Sequence, residues 1–165
     1  ISATTRPPRN NEKNGYDYFF LSDEEFDKKI ENDEFVEWAW VHGYRYATLK
    51  KVVDNALKNN NVLIFDLDVQ GADSMKSAYP REAVLIFLLP PTREELRKRL
   101  MQRKTDSPEI IAQRLKNAEL EIKKITEYNY LVINDDLENC IQSVDSIITA
   151  ELCRPQRILP VDGWQ

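Results

Sequence analysis

Three short apolar runs, separated by helical segments, constrain the fold of this chain more than any other feature of its sequence. They span residues 62–65, 83–89 and 131–133. Within each run apolar residues follow one another without polar alternation, which is typical of strands buried on both faces of a parallel sheet. Because helical segments separate the runs, the sequence predicts an α/β fold.

Side-chain caps mark where several of these helices begin. Ser22 is followed three residues later by Glu25, which is the pattern of a capping box. Ser107 precedes a proline, and proline is favoured at the first position of a helix. Apolar residues at helical spacing predict a last helix over about 137–152.

Composition and charge exclude several classes of function. The chain has 165 residues and a net charge of −5, which makes it a poor candidate for non-specific binding to nucleic acid or to an anionic membrane. Its longest clean apolar run has seven residues, whereas a membrane span needs about 20. One histidine and two cysteines outside any C-x-x-C pattern leave no zinc-binding pattern. We therefore expect a cytoplasmic protein without nucleic-acid or membrane partners.

Arginines form two groups that could contact phosphate. Arg6 and Arg9 lie three residues apart in a proline-containing segment, and the planar guanidinium suits phosphate oxygens. Taken alone, this segment is better explained by two solvated surface arginines than by a phosphate site. Arg99 and Arg103 share a helix face, and Arg114 follows beyond a turn. By itself this second group is explained by a solvated face with ion pairs one helical turn apart.

Two carboxylates have positions suited to ligand binding. Asp66 ends the first apolar run, and open α/β sheets bind ligands at the carboxyl ends of their strands. Such an aspartate can hold Mg²⁺ through water, or it can simply end the strand. Glu37 lies among apolar neighbours in residues 35–46, whose alternation predicts a half-buried strand or hairpin. Its carboxylate could accept two N–H groups from a base edge, or it could face water.

Together and in this order, these segments resemble the guanylate kinase family, whose members phosphorylate GMP from ATP. The similarity runs from residue 1 to about residue 151. The segments that carry it are SATTRPPR at 2–9, EFVEWA at 34–39, YAT at 46–48, DLDVQG at 66–71, RLMQR at 99–103, RL at 114–115 and NDD at 134–136.

The resemblance implies one domain of the P-loop kinase type, with a three-layer parallel-sheet core, a small mixed GMP-binding lobe and a helical lid. It assigns the lobe to residues 1–50, the core to 51–91 and 128–152, the lid to 92–127 and a tail to 153–165. It implies transfer of the terminal phosphate of ATP to GMP or dGMP in purine nucleotide metabolism. GMP and ATP would be the partners, and Mg²⁺ would accompany ATP.

The resemblance also implies roles for individual residues. Those that would contact the guanine edge are Ser2, Glu37 and Thr48. Those that would hold the GMP phosphate are Arg6, Arg9, Tyr18 and Tyr46. Asp66 would serve the Mg²⁺ and phosphate region. The arginines that would act in catalysis are Arg6 and, from the lid, Arg99, Arg103 and Arg114. Those that would bind ATP are Arg103 and, near the adenine, Asn134.

The sequence departs from the family pattern in three places. The 165 residues contain no G-x-x-x-x-G-K-S/T motif, whose amides and lysine cradle the phosphates of ATP. We therefore expect the chain to be a portion of a longer protein with this loop upstream, and to be inactive alone. In the related fold, the strand before the loop lies between the strands at 62–65 and 83–89. Ala47 and Lys104 stand where glycine is common in the family.

Two alternative functions remain open. A non-catalytic guanylate-kinase-like module that binds phosphopeptides would also lack a working phosphate loop. The arginines at 99, 103 and 114 and the NDD segment favour the enzyme, because a peptide-binding module has no use for them. The second alternative is a kinase that acts on another nucleoside monophosphate. The pattern of Glu37 and Ser2 favours guanine as the base.

Overall fold

A computed structural model describes residues 1–41, 43–102 and 107–158 of the chain. It divides into two compact units, Ile1–Ala83 and Val84–Gln165. Each unit has its own sheet. In the described ranges, no helix is both long enough and apolar enough to cross a membrane.

The first unit contains a four-stranded mixed sheet. Its strands are β1 (Ala3–Thr4), β2 (Phe19–Phe20), β3 (Phe35–Val41) and β4 (Tyr44–Leu49), in the order β2-β1-β4-β3. β1 and β2 are parallel, and the other pairs are antiparallel. The antiparallel β3–β4 pair confirms the hairpin predicted for residues 35–46.

Three helices accompany this sheet: α1 (Asp23–Glu31), α2 (Lys50–Lys58) and α3 (Val69–Ala78). The capping box predicted at the start of α1 is present. The Ser22 hydroxyl accepts from the Glu25 backbone N–H at 3.1 Å, and the Glu25 carboxylate accepts from the Ser22 N–H at 2.8 Å.

The core of the first unit lies between α1 and the sheet. Phe26 of α1 is fully buried, and its ring centre is 4.6 Å from that of Phe35 on β3. Ala3 and Ala47 complete the buried cluster. Since Ala47 packs in this core with 2% of its surface exposed, the unit accommodates the methyl group that stands where the family commonly has glycine.

The second unit contains a parallel pair of strands, β5 (Ile86–Leu89) and β6 (Tyr130–Ile133). This pair confirms the parallel strands expected at 83–89 and 131–133. The helices are α4 (Arg93–Gln102), α5 (Pro108–Glu121), α6 (Leu137–Leu152) and the short α7 (Pro155–Ile158), with a 3₁₀ helix over Ile122–Glu127. α5 begins with proline, and α6 has the predicted bounds.

The strand expected at residues 62–65 is absent from the described structure, so that prediction is wrong. These residues form neither strand nor helix, and Val62, Leu63 and Ile64 are 50%, 38% and 77% exposed. A strand is stabilised by hydrogen bonds to a neighbour, and no described strand pairs with this segment. An apolar run alone does not supply that neighbour.

Candidate functional site

Arg6 lies at the centre of a cluster of side chains in the first unit, together with Glu12, Tyr18, Phe20 and Tyr46. Its Nε–H donates to the Tyr46 hydroxyl at 3.2 Å. Its two terminal nitrogens donate to the two oxygens of the Glu12 carboxylate at 2.9 and 2.8 Å. This paired geometry fixes the plane of the guanidinium as well as its position.

Aromatic rings pack against the same guanidinium. The Arg6 Cζ atom is 5.5 Å from the ring centre of Tyr18 and 5.7 Å from that of Phe20. Tyr18 also meets Tyr46 edge to face, with the ring centres 6.0 Å apart. The pairing of Thr4 with Tyr46 between β1 and β4 brings residues about 40 positions apart in the chain to this cluster.

The charges of the cluster are strongly coupled. The hydrogen bonds from Arg6, followed by one from the Arg9 backbone N–H, lower the pKa of Glu12 to about 2. The hydrogen bond to Glu12 is likewise the main cause that raises the pKa of Arg6. The pair is therefore fully ionised at neutral pH. The Arg9 side chain lies on the surface, and its guanidinium makes no hydrogen bond to any residue that the structure describes.

Glu37 and Thr48 form a second polar group on neighbouring strands. A register shift between Phe35 and Glu37 marks a β-bulge in β3, and bulges often re-aim a side chain beside a functional site. The Thr48 hydroxyl donates to Glu37 Oε1 at 2.6 Å, and Thr48 itself is 3% exposed. Burial raises the pKa of the half-buried Glu37 above its ordinary value, and the negative charge of Asp68 adds to this effect.

Glu37 also lines a cavity of about 360 Å³ between β3 and the start of α3. Polar residues on its wall include Asp33, Asp68, Gln70 and Ser74. Asp68 caps α3, since its carboxylate accepts from the Gly71 N–H at 2.8 Å. The cavity thus has a mostly polar lining that includes carboxylates, which suits a ligand that carries N–H donors.

The other predicted site residues of the first unit lie near these groups or on the surface. Ser2 directly precedes β1, and the antiparallel pairing of Ala3 with Ala47 places Ser2 and Thr48 next to the same residue pair. Asp66 is exposed in the irregular segment before α3 and makes no hydrogen bond or ion pair with a described residue. All its carboxylate lone pairs are therefore open to water or a cation.

In the second unit, arginine side chains pair both within a helix and between helices, as Arg93 of α4 does with Glu119 of α5 at 2.8 Å. Arg99 on α4 donates to Glu95 at 3.0 Å and to the backbone oxygen of Asp135 at 3.4 Å. This second contact brings it to the loop that contains Asn134. Arg114 is half-buried on α5. Arg103, to which the resemblance assigns roles in catalysis and ATP binding, lies outside the described residues, as does Lys104.

Three side chains have no role in the sequence-based assignments although the structure brings them into these groups. They are Glu12, Phe20 and Asp68. Glu12 follows Arg6 by six residues in an irregular segment, where no helical or strand period predicts a contact. Asp68 lies in the segment DLDVQG that carries the resemblance, but its capping of α3 and its place beside Glu37 appear only in the structure.

Comparisons with known proteins agree on one family. The family model described as "Guanylate kinase" matches residues 1–151. A guanylate kinase from Caldanaerobacter subterraneus subsp. tengcongensis is 46% identical over 157 residues, which cover 95% of this chain and 76% of that protein. One from Myxococcus xanthus is 46% identical over 159 residues, covering 96% and 76%.

Solved structures lead to the same family. The crystal structure of guanylate kinase from Anaplasma phagocytophilum matches with a TM-score of 0.73 and 32% identity, covering 95% of this chain and 77% of that one. The match supports an α/β guanylate kinase fold with a mixed sheet and helices. On the family model and on relatives that this chain matches over nearly its whole length, the chain belongs to the guanylate kinase family.

Proposed function

We propose that this chain carries the GMP site and the lid of an ATP:GMP phosphotransferase, which converts GMP and ATP to GDP and ADP. One observation carries the proposal. The Arg6 cluster and the Glu37–Thr48 pair meet on one strand, because Tyr46 and Thr48 are alternate residues of β4. Alternate residues share a face and lie about 7 Å apart, so one strand offers a phosphate contact and a base contact to the same nucleotide.

The base would be read by Glu37, with Ser2 and Thr48 beside it. Guanine presents two adjacent donors, N1–H and the 2-amino group, which one carboxylate can accept together. The hydroxyl of Thr48 donates to one oxygen of this carboxylate and holds its orientation. Adenine has no hydrogen on N1 and no 2-amino group, so AMP would leave the half-buried carboxylate without donors.

The phosphate of GMP would be bound by Arg6, Arg9, Tyr18 and Tyr46. The Tyr46 oxygen accepts from Arg6, so its own O–H proton remains available to a phosphate oxygen. Arg9 has a surface-exposed guanidinium within the same segment. The acceptor phosphate is already an oxyanion near neutral pH, so transfer needs positioning and charge neutralisation rather than a strong base.

The phosphates of ATP would be contacted by arginines of the lid. We assign Arg99, Arg103 and Arg114 to the transferred phosphate, and Arg103 and Asn134 to the ATP side. When bound with ATP, Mg²⁺ supplies neutralisation of phosphate charge. The residues present fit this ion, because Mg²⁺ keeps several waters and needs only one or two carboxylates, and Asp66 is exposed with its lone pairs open.

We further infer the finer architecture from the resemblance. The lobe comprises residues 1–50, the core 51–91 and 128–152, the lid 92–127 and the tail 153–165, with the core built as a three-layer parallel sheet. The parallel pairing of β5 with β6 supports this layering. We also assign the protein to purine nucleotide metabolism in the cytoplasm.

A phosphate-loop motif is needed for the complete reaction. Because the 165 residues contain no G-x-x-x-x-G-K-S/T sequence, we expect them to bind GMP without transferring phosphate. A fusion that adds such a loop segment before Ile1 is expected to gain GMP-dependent release of ADP in a coupled assay. A fusion that folds and binds ATP and GMP but gives no turnover would contradict the proposed enzyme. Selective binding of a phosphopeptide instead of GMP would favour the non-catalytic module.

A further inference from the structure

Glu12, to which the resemblance assigns no role, makes several polar contacts with Arg6 and Arg9. Its carboxylate accepts from Arg6 Nη1 at 2.9 Å, from Arg6 Nη2 at 2.8 Å and from the Arg9 backbone N–H at 2.7 Å. Its own backbone N–H donates to the Arg9 carbonyl at 3.0 Å. Glu12 therefore joins the Arg6 guanidinium and the Arg9 backbone into one hydrogen-bonded turn.

The donors of Arg6 are almost all used by these partners. A guanidinium has five N–H groups. The Nε–H donates to Tyr46, Nη1 donates to Glu12 and to the Pro7 carbonyl at 2.8 Å, and Nη2 donates to Glu12. One N–H of Nη2 remains. A phosphate can therefore receive one hydrogen bond from Arg6 without displacing Glu12.

We propose that Glu12 is a positioning residue for the GMP phosphate: it fixes Arg6 so that one N–H faces the ligand, and it sets the backbone of Arg9 relative to Arg6. This inference rests on the proposed function, since it takes the phosphate of GMP as the ligand. The two arginines then have different roles in binding the phosphate. Arg6 is held in place and donates one hydrogen bond to the phosphate, whereas the exposed guanidinium of Arg9 moves to bind the phosphate.

The contacts favour positioning over simple competition between Glu12 and the phosphate. A competing carboxylate would have to leave before the ligand binds, yet here three donors from two residues hold it. The side chains of Arg6 and Glu12 are only 10% and 20% exposed. An arginine ordered before binding does not lose its rotamer freedom on binding, which raises affinity. The low pKa of Glu12, about 2, keeps this arrangement ionised throughout the neutral range.

The test separates phosphate binding from base binding. Glu12→Gln keeps the size of the side chain but removes its charge and one acceptor. Calorimetric titration with GMP and with guanosine, which lacks the phosphate, measures the two parts. We expect about a tenfold loss of GMP affinity, as for one charge-assisted hydrogen bond, and guanosine affinity within about twofold of wild type.

Glu34→Gln is the matched control. Glu34 accepts from Lys29 at 2.8 Å in the same unit, so the variant makes the same charge change and also breaks an ion pair. We expect it to bind GMP and guanosine like wild type. Glu12→Asp, which keeps the charge on a shorter stem, is expected to recover part of the GMP affinity.

A double variant tests whether Glu12 acts through Arg6. If it does, Arg6→Met with Glu12→Gln binds GMP no more weakly than Arg6→Met alone. Additive losses would overturn the proposal, and so would tighter GMP binding by Glu12→Gln or equal losses for GMP and guanosine. If the wild-type protein binds GMP no more tightly than guanosine and no more tightly than AMP, the proposed function is wrong, and this inference is wrong with it.

Discussion

Arg6 in the first unit and Arg99 on α4 in the second show two ways of holding a guanidinium. Arg6 is held by Tyr46, 40 residues away, and by a carboxylate in an irregular turn. Arg99 is held by Glu95, one helical turn away, through a pair that is about one-third exposed, and by a long hydrogen bond of 3.4 Å to the Asp135 carbonyl. Such helical pairs contribute only about 0.2–0.5 kcal/mol, so they release a side chain easily.

This difference suggests a division of roles. Groups ordered before binding favour the ground-state complex with GMP, whereas groups that exchange a weak local partner for substrate phosphate suit a moving lid. Changes in the first unit should therefore alter affinity, and changes in the lid arginines should alter rate.

The largest effect is expected at the lid. In a fusion that carries a phosphate loop, Arg103→Lys keeps the charge but loses the planar fork, and we expect kcat to fall by about 10³-fold or more. GMP affinity should stay within about twofold. Steady-state kinetics with a separate GMP titration measures both. An unchanged kcat with a raised KM for GMP would make Arg103 a ground-state ligand and remove the contrast.

The next effect is expected at the base. Glu37→Gln removes the charge and replaces one acceptor by a donor, so we expect GMP affinity to fall by about 100-fold or more while weak AMP binding changes little. Titration of both nucleotides into wild type and variant measures this. If both proteins bind GMP equally, Glu37 faces solvent, and the base is read elsewhere.

A third comparison concerns stability rather than binding. Arg45, 6% exposed, pairs with Asp23 at 2.6 Å and with Asp27, and its Cζ lies 4.5 Å from the ring centre of Phe26. We expect Arg45→Met to lower the free energy of unfolding by about 1–3 kcal/mol, because it removes the charge-assisted hydrogen bonds to Asp23 and Asp27 and the contact of the guanidinium with Phe26.

The matched variant lies on α4, which we assign to the lid. Arg99→Met should lower the free energy of unfolding by at most about 0.5 kcal/mol, since its pair with Glu95 is local and about one-third exposed and its hydrogen bond to Asp135 is long and exposed. Denaturant unfolding of both variants measures the difference. Equal losses would mean that the two ways of holding an arginine are energetically alike.

Much of the local structure was predictable because its causes are local. Ser22 with Glu25, the proline after Ser107, and the span of α6 follow from residues within one helix. The strand expected at 62–65 failed because its stability depends on a neighbouring strand that no local pattern specifies. In the site, the hairpin explains how Glu37 reaches Thr48. The contact of Glu12 with Arg6 depends on an irregular turn and has no sequence period.

The smallest effect is a dependence on pH in the base pocket. Burial raises the pKa of Glu37 above 4.5, and only the ionised carboxylate accepts two donors. Guanosine affinity should therefore fall as the pH falls through this raised pKa, whereas the Arg6–Glu12 pair stays ionised down to about pH 2. Calorimetry at decreasing pH measures the effect. Glu37→Gln should remove the pH dependence.

Protonation of Glu37 has the opposite effect on the stability of the fold. Because the folded state holds this proton more tightly than the unfolded state, the contribution of Glu37 to stability is present at low pH and is lost as the pH rises through the raised pKa. Lowering the pH should therefore weaken guanosine binding, although protonation of Glu37 increases its contribution to the free energy of unfolding. A loss of affinity that only follows acid unfolding would contradict the assignment.

The first unit is expected to bind GMP before ATP arrives or a lid closes. Titration of GMP into the unaltered 165-residue chain, with a chelator and without ATP, tests this most directly. We expect saturable binding with one GMP per chain, and tighter binding of GMP than of guanosine or AMP. Binding that requires ATP and Mg²⁺, or equal affinity for GMP and AMP, would contradict it.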